Sequence, residues 1–330
     1  MKRNFQIFAS LLFAILISFT ACKDDDDDNG GTTTPSEYTE LSGSITSDMT
    51  LDAAVKYLVK GFTFVEDGAT LTIPAGTLIE AEPGQGENAS ALIVKMGGKI
   101  MAEGTVDNPV IFTGKGGGTG GNFGKGVQGL WGGVILLGKS ETNNTQRKRI
   151  EGIPEEYNCW YGFDANAGAD VADNSGKLNY VSIRHGGTDI GAGNEINGLT
   201  LGAVGSSTIM DYIEVISNVD DGVEFFGGTP QLKHCLVALC GDDSFDYDEG
   251  FHGFGQFWCA IQGENTGDRC AEQDGGTGGD EENPPYAEPM LVNITYIANN
   301  DGGFVIFRDN AAGSYVNSIF TDGAEGIRIE

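Results

Sequence analysis

Positive charge is scarce in this chain. Lys and Arg total 19 against 48 Asp and Glu, giving a formal net charge of −29. A surface this acidic repels nucleic acid and anionic membranes, so neither is an expected partner. Histidine is scarcer still. His185, His234 and His252 lack the spacing of a zinc site. The sequence has no Gly-x-Ser-x-Gly elbow and no Ser-His-Asp arrangement, which removes the common hydrolase signatures. Gly116-Gly-Gly-Thr-Gly-Gly-Asn is not followed by the Lys-Ser/Thr of a phosphate loop, so it reads as a flexible turn, and no organic cofactor is expected. The one sustained apolar run, from about Phe5 to Phe19, is shorter than the roughly 20 residues of a transmembrane helix.

What is abundant is glycine, 52 of 330 residues, about twice the usual share. No Gly-X-Y period accompanies it, which excludes collagen. Mixed with Val, Ile, Phe and Thr, it predicts short strands separated by tight turns. Such runs occur at 57–60, 62–65, 70–73, 91–94, 110–113 and 134–137. Leu51–Lys60 alone could pass for a helix, but its neighbours favour an entry strand.

Lys2 and Arg3, the apolar run and the small residues before Cys22 form a secretory signal over residues 1–21. Its removal takes two positive charges and brings −29 to −31. The ending Phe19-Thr-Ala-Cys22 resembles a bacterial lipobox, in which the cysteine thiol is lipidated. Lys23 and Asp24–Asp28 resemble the acidic export tag of surface-exposed lipoproteins in Bacteroidota. The plainer readings are a signal peptide with an incidental cysteine and a solvated acidic linker. Residues 22–42 are then a lipidated, flexible tether in an outer membrane, facing outward. Five further cysteines remain (Cys159, Cys235, Cys240, Cys259, Cys270), an odd number that cannot all pair within one chain. Cys259 and Cys270 are the candidate disulfide.

Self-similarity carries the fold class. Leu178-Asn-Tyr-Val-Ser-Ile-Arg-His aligns with Met210-Asp-Tyr-Ile-Glu-Val-Ile-Ser and with Leu232-Lys-His-Cys-Leu-Val-Ala-Leu. Asn218-Val-Asp-Asp-Gly-Val-Glu-Phe-Phe recurs as Cys240-Gly-Asp-Asp-Ser-Phe-Asp-Tyr-Asp, then near Asn299 and near Asp322. A period of about 22 residues, with short strands and turn residues at fixed offsets, is one coil of a solenoid. The expected fold is all-β: a right-handed parallel β-helix over residues 43–330, with long loops at about 141–177 and 262–288. Inward positions would be Val181, Ile183, Ile213, Val215, Cys235 and Val237. Gly326-Ile-Arg-Ile-Glu330 ends inside an apparent strand, so the domain is expected to be incomplete at its C-terminus.

These residues resemble a family of parallel β-helix surface lipoproteins of Bacteroidota. The resemblance is carried by Gly129-Leu-Trp-Gly-Gly-Val-Ile-Leu-Leu-Gly, Ile150-Glu-Gly-Ile, the segment Asp173–Gly187, Asn194–Gly202, and the two Asp-Asp segments at 220–229 and 241–250. It implies fold and surface location and carries no established reaction.

The chemistry-bearing residues are acids. With the 22-residue offset, Glu224 stacks on Asp246 and Asp221 on Asp243, and like carboxylates that close repel unless protonated, donated to or bridged by a cation. Asp220, Asp221, Glu224, Asp242, Asp243, Asp246 and Asp248 are the candidate ligands for calcium, which prefers six to eight oxygens. The competing reading is that the Asp residues only hydrogen-bond their own backbone as turn formers. A further resemblance is to polygalacturonase-like β-helices, through Asn218-Val-Asp-Asp-Gly, Gly241-Asp-Asp-Ser, Phe251-His-Gly and Arg328-Ile. It implies Asp221, Asp242, Asp243, His252 and Arg328 as a catalytic set. His252 lies only nine residues after Asp243, and Arg328-Ile is followed by Glu330 rather than Lys. Trp131, Trp160, Tyr161 and Trp258 are sugar-stacking candidates, with core packing as the plainer role. The expected role is a surface module that binds or scaffolds a glycan, an ion or a partner protein. The alternative is a polysaccharide hydrolase or lyase.

The anchor has a direct test. Cys22→Ser should move the protein from the membrane to the soluble fraction. Replacing Asp24–Asp28 with Ala should keep it on the membrane but remove its protease accessibility on intact cells.

Overall fold

The computed structural model describes residues 37–163, 168–191, 194–299 and 301–330. The signal segment, Cys22 and Asp24–Asp28 lie outside the described residues. Among the described residues, no helix is long and apolar enough to cross a membrane. The first strand, Thr39–Ile45, begins before the expected boundary at 43, because Leu41 and Ile45 already face the core.

Among the described residues, one sheet of 23 strands winds through the chain, its strands pairing in parallel. This is the expected right-handed parallel β-helix. Its logic is in the register. Val110, Val181, Ile213, Cys235 and Trp258 occupy one inward column, and Phe112, Ile183, Val215, Val237 and Ala260 occupy the next. All are buried. A single coil cannot cover its own apolar edge, so each buries it on the coil before, about 4.8 Å away. Cys235 serves as a small apolar residue in its column.

The interior is rich in stacked rings. Trp258, 1% exposed, lies 4.6 Å from Phe245 and 5.6 Å from Phe225, both nearly parallel to it. Space around these rings is tight. A Cβ on Gly222 would sit 2.1 Å from Val237 Cγ1, which explains the glycine after Asp220-Asp221.

The corners use one residue per coil in the left-handed region. Tyr180, Tyr212, His234, Phe257, Asn293 and Asn317 have φ between 45° and 59°. Each strained residue costs on the order of 1–3 kcal/mol. Stacking offsets part of that cost at about 0.5–1.5 kcal/mol per ring pair. The rings of Tyr180, Tyr212, His234 and Phe257 lie 4.3, 4.4 and 4.8 Å apart in succession, each pair within 12° of parallel. A second corner repeats the device at His185, Ser217 and Leu239.

Excursions interrupt the winding. Residues 138–163 and 168–175 leave the solenoid, and Lys148–Arg149 forms an antiparallel pair with Trp160–Tyr161. Within the expected loop at 262–288, Arg269–Asp274 is a coil strand, and only 275–289 projects. That strand escapes a hydrophobicity reading because Arg269, Glu272, Gln273 and Asp274 fill it with polar side chains. The expected Cys259–Cys270 disulfide is also corrected, since both thiols are free. Cys270 belongs to the core, whereas Cys259 follows the inward Trp258 and so alternates to the opposite face. Leu51–Lys60 is a turn running into the strand Tyr57–Val65.

Trp258→Ala should cost about 3–5 kcal/mol, the usual range for a buried aromatic. The readout is the shift in the urea unfolding midpoint, and a loss below about 1 kcal/mol would contradict a fully packed Trp258.

Candidate functional site

The acids lie where the coil period places them. Glu224 pairs in register with Asp246, and Asp246 with Glu272. In the adjoining turn a second ladder climbs the solenoid. Asn197 Oδ1 accepts the backbone N–H of Asp221 at 3.1 Å, Asp221 Oδ1 that of Asp243 at 2.9 Å, and Asp243 Oδ1 that of Arg269 at 2.6 Å. These carboxylates therefore bond the backbone of the next coil, not their own turn. Each loop rests on the side chain beneath it, so Asp221 and Asp243 have a structural duty as well as a charge.

An outer row runs alongside. Asp268 N donates to Asp242 O at 3.1 Å, and Asp220 hydrogen-bonds Glu195. Three groups of carboxylates bring ligand oxygens within 4.8 Å of one another: Asp220, Asp221 and Asp242; Asp221, Glu224 and Asp246; and Asp242, Asp243 and Asp268. Asp221 belongs to two of them. Glu224 is held by the Asn197 amide. Asp246 Oδ1 is enclosed and has no hydrogen-bond partner.

The excursions shield this face. Tyr161 donates to Glu249 Oε2 at 2.8 Å, and Lys148 reaches Glu249 Oε1 at 2.9 Å and Asp280 at 3.8 Å. Arg308 pairs with Glu272 and Asp274, and Arg269 with Asp268 and Glu325. These cations sit at the margins of the acid field.

Burial is the first cause of every carboxyl shift here, and for Asp221, Glu224, Asp243 and Asp246 neighbouring negative charge is the next. It holds Asp221, Glu224, Asp243 and Asp246 well above the carboxylate range. Asp220 is pushed up to about 8, by burial and then by its bond to Glu195. Glu151 and Asp248 are pushed up to about 7, by burial and then by Glu249. Burial and crowding of like charge thus favour the protonated form of these acids.

Six of the seven sequence candidates fall in the three groups. Asp248 does not, and its Oδ1 accepts the N–H of Glu249 at 2.5 Å. Asp268 and Glu272 escaped a fixed period because the coil from Asp243 to Arg269 spans 26 residues where the previous one spans 22. Glu151 comes from the excursion and carries no repeat signal.

The resemblance-derived catalytic set is not brought together. Asp221, Asp242 and Asp243 are neighbours. His252 instead bonds Gly250 O at 2.7 Å and Glu141 at 2.9 Å. Arg328 pairs with Glu330 and stacks on Ile306, which stacks on Glu272. That places it three coils beyond Asp246, about 14 Å along the axis at about 4.8 Å per coil. Trp131, Tyr161 and Trp258 are core residues, and Trp160 is flanked by the guanidinium groups of Arg147 and Arg149 at 4.9 and 5.1 Å.

No curated protein sequence matches the chain. Among solved structures, it is similar to the enzymatically active domain of tailspike protein 2 of bacteriophage CBA120, at 11% identity and a TM-score of 0.30. That similarity covers 83% of this chain and 41% of the tailspike. The Dettilon tailspike protein is 11% identical with a TM-score of 0.25, covering 88% of this chain and 61% of the other. The Streptococcus pneumoniae surface protein and adhesin PfbA is 10% identical with a TM-score of 0.20, covering 89% and 92%. The chain thus spans less than two thirds of the tailspikes it matches. Residues 43–330 fit the model of the pectate-lyase-like beta helix domain, and the chain belongs to that family.

Proposed function

We propose that the chain is a lipid-anchored outer-membrane protein that displays its β-helix at the cell surface. In this reading it is a binding or scaffold module for a glycan or partner protein, and its acid-lined face holds divalent cations, calcium first. The lipobox-like ending and acidic tag support the location. The single observation that supports the cation is the group of Asp221, Glu224 and Asp246. Its ligand oxygens lie within 4.8 Å of one another, and Asp246 also carries an enclosed oxygen with no donor. Carboxylate oxygens at that density suit a hard cation with a high coordination number. A glycan array of the protein with and without calcium, with reducing-end release followed in the same wells, separates binding from hydrolysis. Release of reducing ends would favour the enzyme reading.

The pH dependence has a definite sign. These acids have raised pKa values in the fold, so the unfolded chain gives up its protons first. Without metal, stability should fall as pH rises from about 4, the unfolded carboxyl range. The fall should continue through about 7 for Glu151 and Asp248 and about 8 for Asp220. In chelator, the melting temperature should drop between pH 5 and pH 8. Millimolar calcium should restore it, and by more at pH 8. A cation that binds only the fold contributes about 2.7 kcal/mol at a hundredfold excess over Kd. Asp246→Asn should blunt the response, whereas Asp170→Asn, in an exposed turn, should leave it intact. A melting temperature indifferent to chelator and calcium at both pH values would remove the cation from this reading.

A further inference from the structure

One corner of the solenoid carries rings where its backbone favours asparagine. Tyr180, Tyr212, His234 and Phe257 all hold φ between 45° and 59° there, and the next two coils place Asn293 and Asn317 in the same conformation. Asparagine adopts that region readily, and bulky ring residues do not. Mutual stacking offsets only part of the strain, so it does not account for the choice of rings. Nor does burial, because Tyr212 and Phe257 remain 41% and 43% exposed. Strain of this kind concentrates where a structure makes use of it.

The rings have apolar neighbours. Among the described residues, six of the thirteen large apolar side chains left exposed lie on the strands that meet at this corner: Ile209, Tyr212, Phe257, Met290, Val316 and Ile319. Ile209, Gln231, Phe254 and Met290 form one outward column, and the ring ladder runs beside it. Scattered exposed apolar residues are ordinary, whereas a contiguous group marks a contact surface. Tyr, Phe and Met are also types enriched at interfaces.

Charge selects the occupant. The strands of this wall, from Gly176–Arg184 to Ile319–Thr321, carry Lys177, Arg184 and Lys233 against Asp211 and Glu214, a formal +1 on a chain of −29. The acid strands lie beyond the second corner, on another side of each coil. Two copies meeting wall to wall therefore keep both acid fields outside the contact, and each wall offers its acids to the cations of the other. Contact through the acid side would instead bring like charge together. A glycan fits less well, because the faces of adjacent rings, 4.3, 4.4 and 4.8 Å apart, are occupied by one another. We propose that this wall is a two-fold interface between two copies of the chain, with Tyr212 and Phe257 at its centre.

The experiment is sedimentation equilibrium of the soluble chain carrying Cys22→Ser, so that no lipid drives association. Chelator is present throughout, so that no cation bridges the acid faces. A dimer should form with a dissociation constant of about 0.1 mM or tighter. It should tighten as salt rises from about 0.05 to about 0.5 M, because screening weakens the repulsion between two chains of this charge. Tyr212→Asn combined with Phe257→Asn should weaken dimerisation about tenfold or more. Asparagine serves the next two coils at this corner, so the double variant should fold, which circular dichroism checks. Met290→Ser decides the matter if it does not. Val171→Ser removes an exposed side chain (45%) from the excursion and should leave the dimer intact. A monomer throughout, a dimer untouched by the wall variants, or a dimer that loosens with salt would each overturn the proposal.

Discussion

Parallel in-register stacking of coils is the constraint on which everything else in this molecule depends. Once one coil is laid on another, every side chain meets its counterpart from the coil below at about 4.8 Å. For apolar residues this is favourable, and it builds columns such as Val110, Val181, Ile213, Cys235 and Trp258. For rings it gives the ladder of Tyr180, Tyr212, His234 and Phe257, which supports a corner conformation that side chains otherwise avoid. For carboxylates the same geometry is unfavourable, and it concentrates like charge on one face.

The molecule relieves that charge in more than one way. Asp221 and Asp243 accept backbone N–H groups from the next coil, which turns a repulsive row into a support for the loops above it. Lys148, Arg269 and Arg308 neutralise the margins. Burial moves Asp221, Glu224, Asp243 and Asp246 towards the protonated form. The acid face is therefore both a stabilising ladder and a strained electrostatic field, and it joins structure to the proposed cation binding. A structural and a metal-ligand role for the same aspartates are compatible, because Asp221 Oδ1 is committed to the backbone of the next coil, not to its own turn, while the carboxylate as a whole still approaches its neighbours.

The excursions create what a bare solenoid lacks. A regular coil offers a flat wall. Residues 138–163, 168–175 and 275–289 rise beside the acid face and line a separate cavity. Tyr161 and Lys148, which belong to no repeat, reach Glu249 at the end of the Phe245–Asp248 strand. The repeat thus supplies a rigid platform, and its interruptions supply recesses.

The local pattern alone determined the fold class, the inward columns and the stacking of Glu224 on Asp246, because a solenoid makes spatial neighbours of residues separated by one period. It also placed strands such as Ala91–Val94 and Val134–Leu137, whose apolar runs are bounded by turn residues. What only the tertiary structure decided lies where the period fails. Asp268 and Glu272 joined the acid field through a coil lengthened to 26 residues, and a polar strand, Arg269–Asp274, hid inside an apparent loop. The Cys259–Cys270 pairing, plausible in sequence, failed because alternation along a strand sends neighbouring residues to opposite faces. His252 and Arg328 matched a motif but lie apart from the acids, since a motif fixes residue order and the winding fixes distance.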